Sequence, residues 1–313
     1  GVPAAGLEAA LRLPAERTPP APAIVTVGTC DGLHRGHLEV IATLEETAAG
    51  LGLAPLLITF ANHPLDVVAP ARAPKLLMTP KEKKEALRAL PVRSEMLRFD
   101  RALCSLTARQ WLERLRNEYG ARAIVVGYDN TFGSDGRFLT RHQRGDRAAD
   151  LGLKWVEPPV LEGISSSHIR RTVAAGLLPE ATAMLGRPYT IHGRVVPGKQ
   201  LGRRLGFPTA NLAVDACKLL PAPGVYAADA ELPDNTVRHA VLNIGSRPTV
   251  DDGNALSVEA HSIGYHGDLY GKTLTLRLLQ RLRDERKFRN LDELQAAIAA
   301  DVAAAAEAEA EAR

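Results

Sequence analysis

Apolar residues recur along this chain with two different periods, and the change between them falls near Gly186. Before it, β-branched and leucine-rich runs at 24–27, 56–60 and 123–126 read as strands, with amphipathic stretches between them. Leu38, Ile41, Leu44 and Ala48 mark one face of a predicted helix. Trp111, Leu112 and Leu115 mark another, which ends before Tyr119 and Gly120. Alternation of this kind predicts a Rossmann-like parallel sheet covered by helices. After Arg187 and Pro188 the runs become short and β-branched or alternating, at 189–196, 225–230, 237–244, 257–263 and 273–279, with Gly, Pro, Asp and Asn between them. That pattern predicts an antiparallel β-barrel. From Leu291 onward Ala, Glu, Leu and Gln dominate, and Leu291, Leu294, Ile298 and Val302 form a stripe, so one closing helix is expected, fraying toward Arg313.

A length of 313 residues exceeds what one core ordinarily supports, which agrees with two domains, at 1–186 and 187–313. A hydrophobic content of 45% with 24% charged residues supplies both cores and argues against disorder. The net charge of +3 is spread among acids, so nothing calls for a nucleic-acid partner, while a small substrate bearing phosphates suits it. Cys30, Cys104 and Cys217 are far apart and form no C-x-x-C, which disfavours a disulfide framework or structural zinc and points to a reducing cytoplasm. No run approaches the length of a membrane span, and residues 1–22 lack a basic-then-apolar leader pattern. A soluble, unexported protein without membrane partners is expected.

Two stretches carry candidate chemistry. Directly after the first predicted strand, Gly28, Asp31, Gly32, His34, Gly36 and His37 form a glycine-rich turn that opens onto a helix. Free backbone N–H groups at a helix start attract anions, and imidazoles three residues apart share a face and can donate to phosphate oxygens. A histidine pair is ordinarily a cap or a surface feature; its place at the carboxyl end of a first strand favours a binding turn. Far downstream, Ser165, Ser166 and Ser167 stand at the start of a second predicted helix, with Arg170 one turn on. Neither a Walker A loop nor G-x-G-x-x-G occurs, which disfavours a P-loop or a dinucleotide-binding fold. The other stretch runs from Gly198 and Lys199 through Gly202, Arg203 and Gly206 to Pro208, Thr209, Ala210 and Asn211. By itself it reads equally as a basic surface hairpin. If extended, it aims Thr209 and Asn211 the same way, offering two neutral oxygens to a hard cation.

Together these stretches resemble known families. The histidine turn and the 164–170 segment are similar to the H-x-G-H and I-S-S-T/S-x-I-R signatures of nucleotidyltransferases, and 198–211 resembles the riboflavin kinase signature. Their order resembles a bifunctional riboflavin kinase/FAD synthetase of prokaryotic type. The resemblance runs from Ala23 onward and implies an α/β nucleotidyltransferase domain followed by a riboflavin kinase barrel. It implies ATP-dependent conversion of riboflavin to FMN and then adenylyl transfer giving FAD and pyrophosphate, with Mg2+ at both sites and flavoenzymes as possible clients. Onto this sequence it places His34, His37 and Arg170 as catalytic groups of adenylyl transfer. Gly28, Asp31, Gly36, Ser166, Ser167, Gly198, Lys199, Gly202 and Arg203 fall at the ATP phosphates. Phe60, Asn62, His63, Asp129, Asn130 and Arg247 fall at the flavin, and Thr209 and Asn211 at the metal. Glu259 is implied as the base of the kinase reaction, because an alcohol must lose a proton as it attacks, whereas the phosphate of FMN is already ionised at neutral pH. The chain departs from the family at Cys30 and Asn130, where aromatics are common, and at Asn62 and Ser167, where Pro and Thr are common. Two other readings remain open: a riboflavin kinase with an altered nucleotidyltransferase half, and a flavin- or nucleotide-binding regulatory module.

Overall fold

The computed structural model describes residues 20–128, 130–198, 206–246 and 256–308. The expectations placed on Asp129, Lys199, Gly202, Arg203 and Arg247, and on the fraying end, lie outside the described residues. The first half holds β1 (Ala23–Val27), α1 (Arg35–Leu51), β2 (Ala54–Phe60), α2 (Leu65–Val68), α3 (Pro80–Arg88), β3 (Arg93–Leu97), α4 (Arg101–Ser105), α5 (Ala108–Glu118), β4 (Ala121–Val125), α6 (Arg141–Asp150), β5 (Lys154–Val156), α7 (Ser166–Ala174) and α8 (Leu178–Leu185). The second holds β6 (Tyr189–Val196), β7 (Ala210–Val214), β8 (Gly224–Glu231), β9 (Val237–Ser246), β10 (Leu256–Ser262), β11 (Thr273–Arg283) and the closing helix α9 (Leu291–Glu307).

The first five strands pair in parallel in the order β3-β2-β1-β4-β5. One face packs on α5 through Trp111, Leu112 and Leu115, and the other on α1 through Ile41, Leu44 and Ala48. Leu38, assigned to that face from its spacing, is 40% exposed. It stands about a quarter turn from the direction of the other three on a helix of 3.6 residues per turn. Strands β3 and β5 were not anticipated: Arg93–Leu97 is a polar edge strand and Lys154–Val156 has three residues, so neither carries a periodic signal. Thr79, Thr107 and Thr140 each start a helix with a capping box to Glu82, Gln110 and Gln143, which explains how the polar helices α3 and α6 begin where they do.

The last six strands close an antiparallel barrel in the order β10-β7-β6-β11-β8-β9. Its interior is filled by Ile191, Leu212, Tyr226, Leu242, Ile244, Val258, Leu274 and Leu276. Helix α9 covers part of the outer wall at Val225, Ala227 and Val241. The residues it buries most deeply are Ala297, Asp301 and Ala305; of the expected stripe Val302 packs against the wall, Leu294 and Ile298 are half-buried, and Leu291 is 55% exposed. Alanines let the helix lie close to the wall, and Arg283 holds the Asp301 carboxylate with two bonds of 2.9 and 2.7 Å.

Packing crosses residue 186. Ile169, Val173, Leu178, Ala181 and Leu185, from α7 and α8, belong to the barrel's apolar cluster. Burying Leu178 and Leu185 stabilises the barrel by roughly 3–6 kcal/mol at most. A fragment beginning at Leu177 is therefore expected to melt at a higher temperature than one beginning at Arg187. Circular dichroism of both checks this, and equal midpoints would deny α8 any share in the barrel's stability.

Candidate active sites

In the parallel sheet the chain leaves β1 toward β2 on one side and β4 on the other, which opens a crevice beyond the carboxyl ends of these strands. A cavity of about 1260 Å³ occupies it, lined by Gly28, His34, Gly36, His37, Ser166 and Arg170 among others. The amino ends of α1 and α7 both meet this cavity, and neither helix has an acidic residue in its first turn. Two positive helix ends therefore converge there without local neutralisation.

The turn from β1 into α1 is locally unfavourable. Cys30 and Leu33 have φ of 46° and 39°, and Gly32 has φ of 90° at a position where a Cβ would meet the Leu77 side chain at 2.9 Å. A left-handed residue other than glycine costs roughly 1–2 kcal/mol, so the surroundings must hold the turn. The Asp31 carboxylate, almost fully buried, does so. It accepts from Leu77 N–H and Met78 N–H, each at 3.0 Å, and from Arg170 at 2.6 Å. Asp31 thus stands beneath the turn and outside the cavity lining, not at the phosphate position expected of it. Its oxygens are committed to donors, and a carboxylate would repel a phosphate.

His34 and His37 stack with ring centroids 3.7 Å apart. Burial pushes His34 from its ordinary 6.5 down to about 4, and burial followed by the charge of His34 holds His37 well below that value. Both rings are therefore neutral at pH 7. Ser166 Oγ donates to the Asp31 carbonyl at 3.0 Å and lies 3.2 Å from His34 Nε2, so His34 is the donor in that pair. His34 Nδ1, His37 Nδ1 and Arg170 Nε are buried with no partner among the described residues. Ser167 is exposed on the cavity wall, and Ser165, not Ser166, caps α7 by accepting from His168 N–H.

Of the residues expected at the flavin, Phe60, His63 and Asn130 line the cavity. Phe60 meets Phe99 edge-on, and burial, aided by Arg170, lowers the His63 pKa. Asn62 does not line it: its amide exchanges two bonds of 2.9 Å with the backbone of Phe99 and ties the end of β2 to the loop after β3. Asn130 donates to the Val27 carbonyl, joining the ends of β1 and β4. The Cys30 thiol is buried and raised to about 11, so it is protonated. Lys83 escaped the sequence reading, because nothing distinguishes it from Lys81 and Lys84 beside it. Its buried ammonium donates to the Thr29 carbonyl at 2.7 Å and the Phe60 carbonyl at 2.8 Å, fixing two loops of the cavity.

On the barrel, Glu259 lies opposite Asn211 of β7 on one side and Asn243 of β9 on the other. Its neighbours Val258 and Ala260 fill the interior, so alternation puts this row on the outer wall. Glu259 is half-buried and Asn211 buried there. A Cβ at Gly198 would collide with the Asn211 amide, so the approach of these two segments demands glycine. Thr209 is half-buried just before β7. Asn243 carried no assigned role from sequence; its place opposite Glu259 is visible only in the register. Among the described residues no group of three His, Cys, Asp or Glu could hold a metal ion. The hydroxyl of Thr209 and the amide of Asn211 are hard oxygen donors of the kind that fit a magnesium ion carried on nucleotide phosphates.

Residues 16–167 match the family described as FAD synthetase, and residues 185–308 match riboflavin kinase. The chain is 35% identical to the bifunctional riboflavin kinase/FMN adenylyltransferase of Pseudomonas fluorescens, over 90% of this chain and 91% of that protein. To the proteins of the same name from Escherichia coli (strain K12) and Bacillus subtilis (strain 168) it is 35% and 32% identical, covering 90% of each and 89% and 90% of this chain. A crystal structure from Streptococcus pneumoniae named a macrolide-efflux protein has a TM-score of 0.82 at 30% identity, covering 93% of this chain and 96% of that one. That name belongs to the other protein; among the described residues here no helix is long and apolar enough to cross a membrane. An α/β nucleotidyltransferase half joined to a riboflavin kinase barrel defines a two-activity flavin-nucleotide transferase. The chain belongs to the bifunctional riboflavin kinase/FMN adenylyltransferase family and carries both of those activities. Matches over both halves disfavour an altered half or a purely regulatory module.

The neutral histidines set a pH dependence. As pH falls below 6.5 the unfolded chain takes up a proton that folded His34 refuses until about pH 4, so stability is lost across that window, by on the order of 3 kcal/mol at most. His34→Gln is expected to flatten the fall of the melting temperature between pH 6.5 and 4. An unchanged slope would show that His34 titrates normally.

Proposed function

We propose that the two reactions are divided at 1–186 and 187–313, with adenylyl transfer in the α/β cavity and riboflavin phosphorylation on the outer wall of the barrel. The observation that supports the first assignment is the convergence of two helix amino ends, Arg170 and the unpartnered buried polar atoms on one cavity. An FMN phosphate oxygen attacks the α-phosphorus of ATP, the bond to the β-phosphate oxygen breaks, and pyrophosphate departs. The nucleophile needs no base, since a phosphate monoester carries about −1.5 to −2 charge at pH 7. The protein's part is alignment and relief of developing charge by His37, Ser167, Arg170 and the two helix ends. Arriving phosphates would favour protonation of the imidazoles, reversing the effect of burial. Phe60, His63 and Asn130 are assigned to the flavin side, together with Asp129. Asp31 is assigned to holding Arg170, and His34 and Ser166 to fixing the turn and meeting the phosphates.

On the barrel, the terminal alcohol of riboflavin attacks the γ-phosphorus of ATP, its proton passes to Glu259, and ADP leaves. Gly198, Lys199, Gly202 and Arg203 are assigned to the ATP phosphates, Arg247 to the flavin, and Thr209 and Asn211 to magnesium. When bound, the metal would spread the phosphate charge. A cytoplasmic setting belongs to the same reading, which the three free thiols support. Flavoenzymes are the expected recipients of the products.

Glu259→Gln keeps size and hydrogen bonding but removes the base. Riboflavin phosphorylation is expected to fall by about 10² to 10⁴, with supplied FMN still converted to FAD at the parental rate. Chromatographic separation of the flavins checks this, and parental kinase activity would leave Glu259 a wall residue. His37→Ala is expected to cost FAD formation about 2–4 kcal/mol of transition-state stabilisation. Unchanged kcat for FAD formation would remove His37 from the chemistry.

A further inference from the structure

The nucleotide turn is held partly by residues that lie outside the FAD synthetase match. Arg187, at the entry to the barrel, sends one guanidinium nitrogen to the Gly32 carbonyl at 2.7 Å and the other to the Leu33 carbonyl at 3.1 Å. These are two of the turn's three left-handed residues, immediately before His34. Lys218, between β7 and β8, is buried and donates to the Leu77 carbonyl and to Glu82, each at 2.7 Å. On either side of it, Leu76 N–H donates to the Cys217 carbonyl at 2.7 Å and Leu219 N–H to the Leu76 carbonyl at 2.8 Å. The strap at 76–78 is therefore bonded to a barrel loop on one edge, while on the other its Leu77 and Met78 N–H groups hold Asp31. Asp31 in turn holds Arg170, and its carbonyl holds Ser166.

We infer that the barrel is a working part of the adenylyl-transfer site, with Arg187 and Lys218 as positioning residues: Arg187 clamps the turn directly and Lys218 does so through the strap. This rests on the assignment of adenylyl transfer to the α/β cavity. Neither residue lines that cavity, so neither is a catalytic group. Their effect passes through where His34, Ser166 and Arg170 stand. A turn held in unfavourable backbone geometry relaxes when its clamp is removed, and displacements of about 1 Å at a reacting centre can cost about 10²-fold in rate.

The test uses the full chain, with both activities measured on each preparation. Arg187→Ala should lower kcat for FAD formation by about 10- to 100-fold, with KM for ATP and FMN within about threefold of parental. Riboflavin phosphorylation in the same sample should stay within about twofold, since Arg187 touches nothing on the Glu259 wall. Arg187→Lys, which can still donate to one carbonyl, should recover part of the loss. The paired change Glu82→Gln with Lys218→Met removes both buried charges together and should move FAD formation the same way. Four results would overturn the inference. One is parental FAD formation by Arg187→Ala while His37→Ala is impaired, which leaves the cavity assignment standing. A second is equal loss of both activities with a lowered melting temperature, the mark of a general stability effect. A third is a loss confined to KM for ATP, which would make Arg187 a binding residue. The fourth is FAD formation at the parental rate by His37→Ala, which would remove the cavity assignment itself.

Discussion

The Asp31 carboxylate is the point on which the α/β site depends. Burying an ionised carboxyl group costs several kcal/mol unless its oxygens are fully engaged, and here two backbone N–H groups and the Arg170 guanidinium engage them. Those three bonds join segments far apart in sequence: the turn after β1, the strap before α3 and the first turns of α7. Remove the carboxylate, and Arg170 becomes an uncompensated, partly buried cation, the strap loses its acceptors, and Cys30 and Leu33 have less to keep them left-handed. One side chain thus sets the geometry of a site whose ligand it does not itself line.

That arrangement leads to an electrostatic one. With Asp31 satisfied below, the cavity wall carries Arg170, two helix amino ends and neutral imidazoles, and its one described carboxylate is the exposed Glu162. Neutral rings are what a free site of this kind can sustain, because burial opposes their charge first, Arg170 and Arg187 oppose it for both rings, and Lys83 opposes it for His37. In the proposed reading, bound phosphates would reverse the sign of the local field. Charge on the histidines would then be favoured, and proton uptake would accompany nucleotide binding.

The two halves were legible because their periods differ: buried runs such as 24–27 and 56–60 appear as β1 and β2, and 189–196 coincides with β6. Elements without an apolar rhythm were not, as with Arg93–Leu97 and Lys154–Val156. The motif residues around the cavity were readable because glycines, histidines and serines cluster in sequence. What joins them was not. Asp31 is adjacent to the motif and was placed on the ligand, whereas its partners at 77, 78 and 170 decide otherwise. Lys83, Arg187 and Lys218 act by long-range bonds to carbonyls, and no local pattern marks a cation whose acceptor lies 54, 155 or 141 positions away. Asn62 was placed at the flavin only by the resemblance of the 59–64 segment, and its two bonds to the Phe99 backbone, 37 positions away, were not legible there either.

The contrast between the halves follows from where each nucleophile gets its negative charge. Both reactions consume ATP, one at the α-phosphorus and one at the γ-phosphorus. FMN arrives with its phosphate ionised, so a carboxylate aimed at it would add only repulsion, and the α/β half turns its conserving acid, Asp31, away from the cavity and into the turn. Riboflavin arrives with a neutral alcohol. A carboxylate is then needed, and in the proposed reading the barrel wall supplies it as Glu259, which stands between Asn211 and Asn243, two neutral amides that would not compete for the proton. The placement of a single acidic residue in each half, inward in one and outward in the other, is therefore what the difference between a phosphate and an alcohol requires.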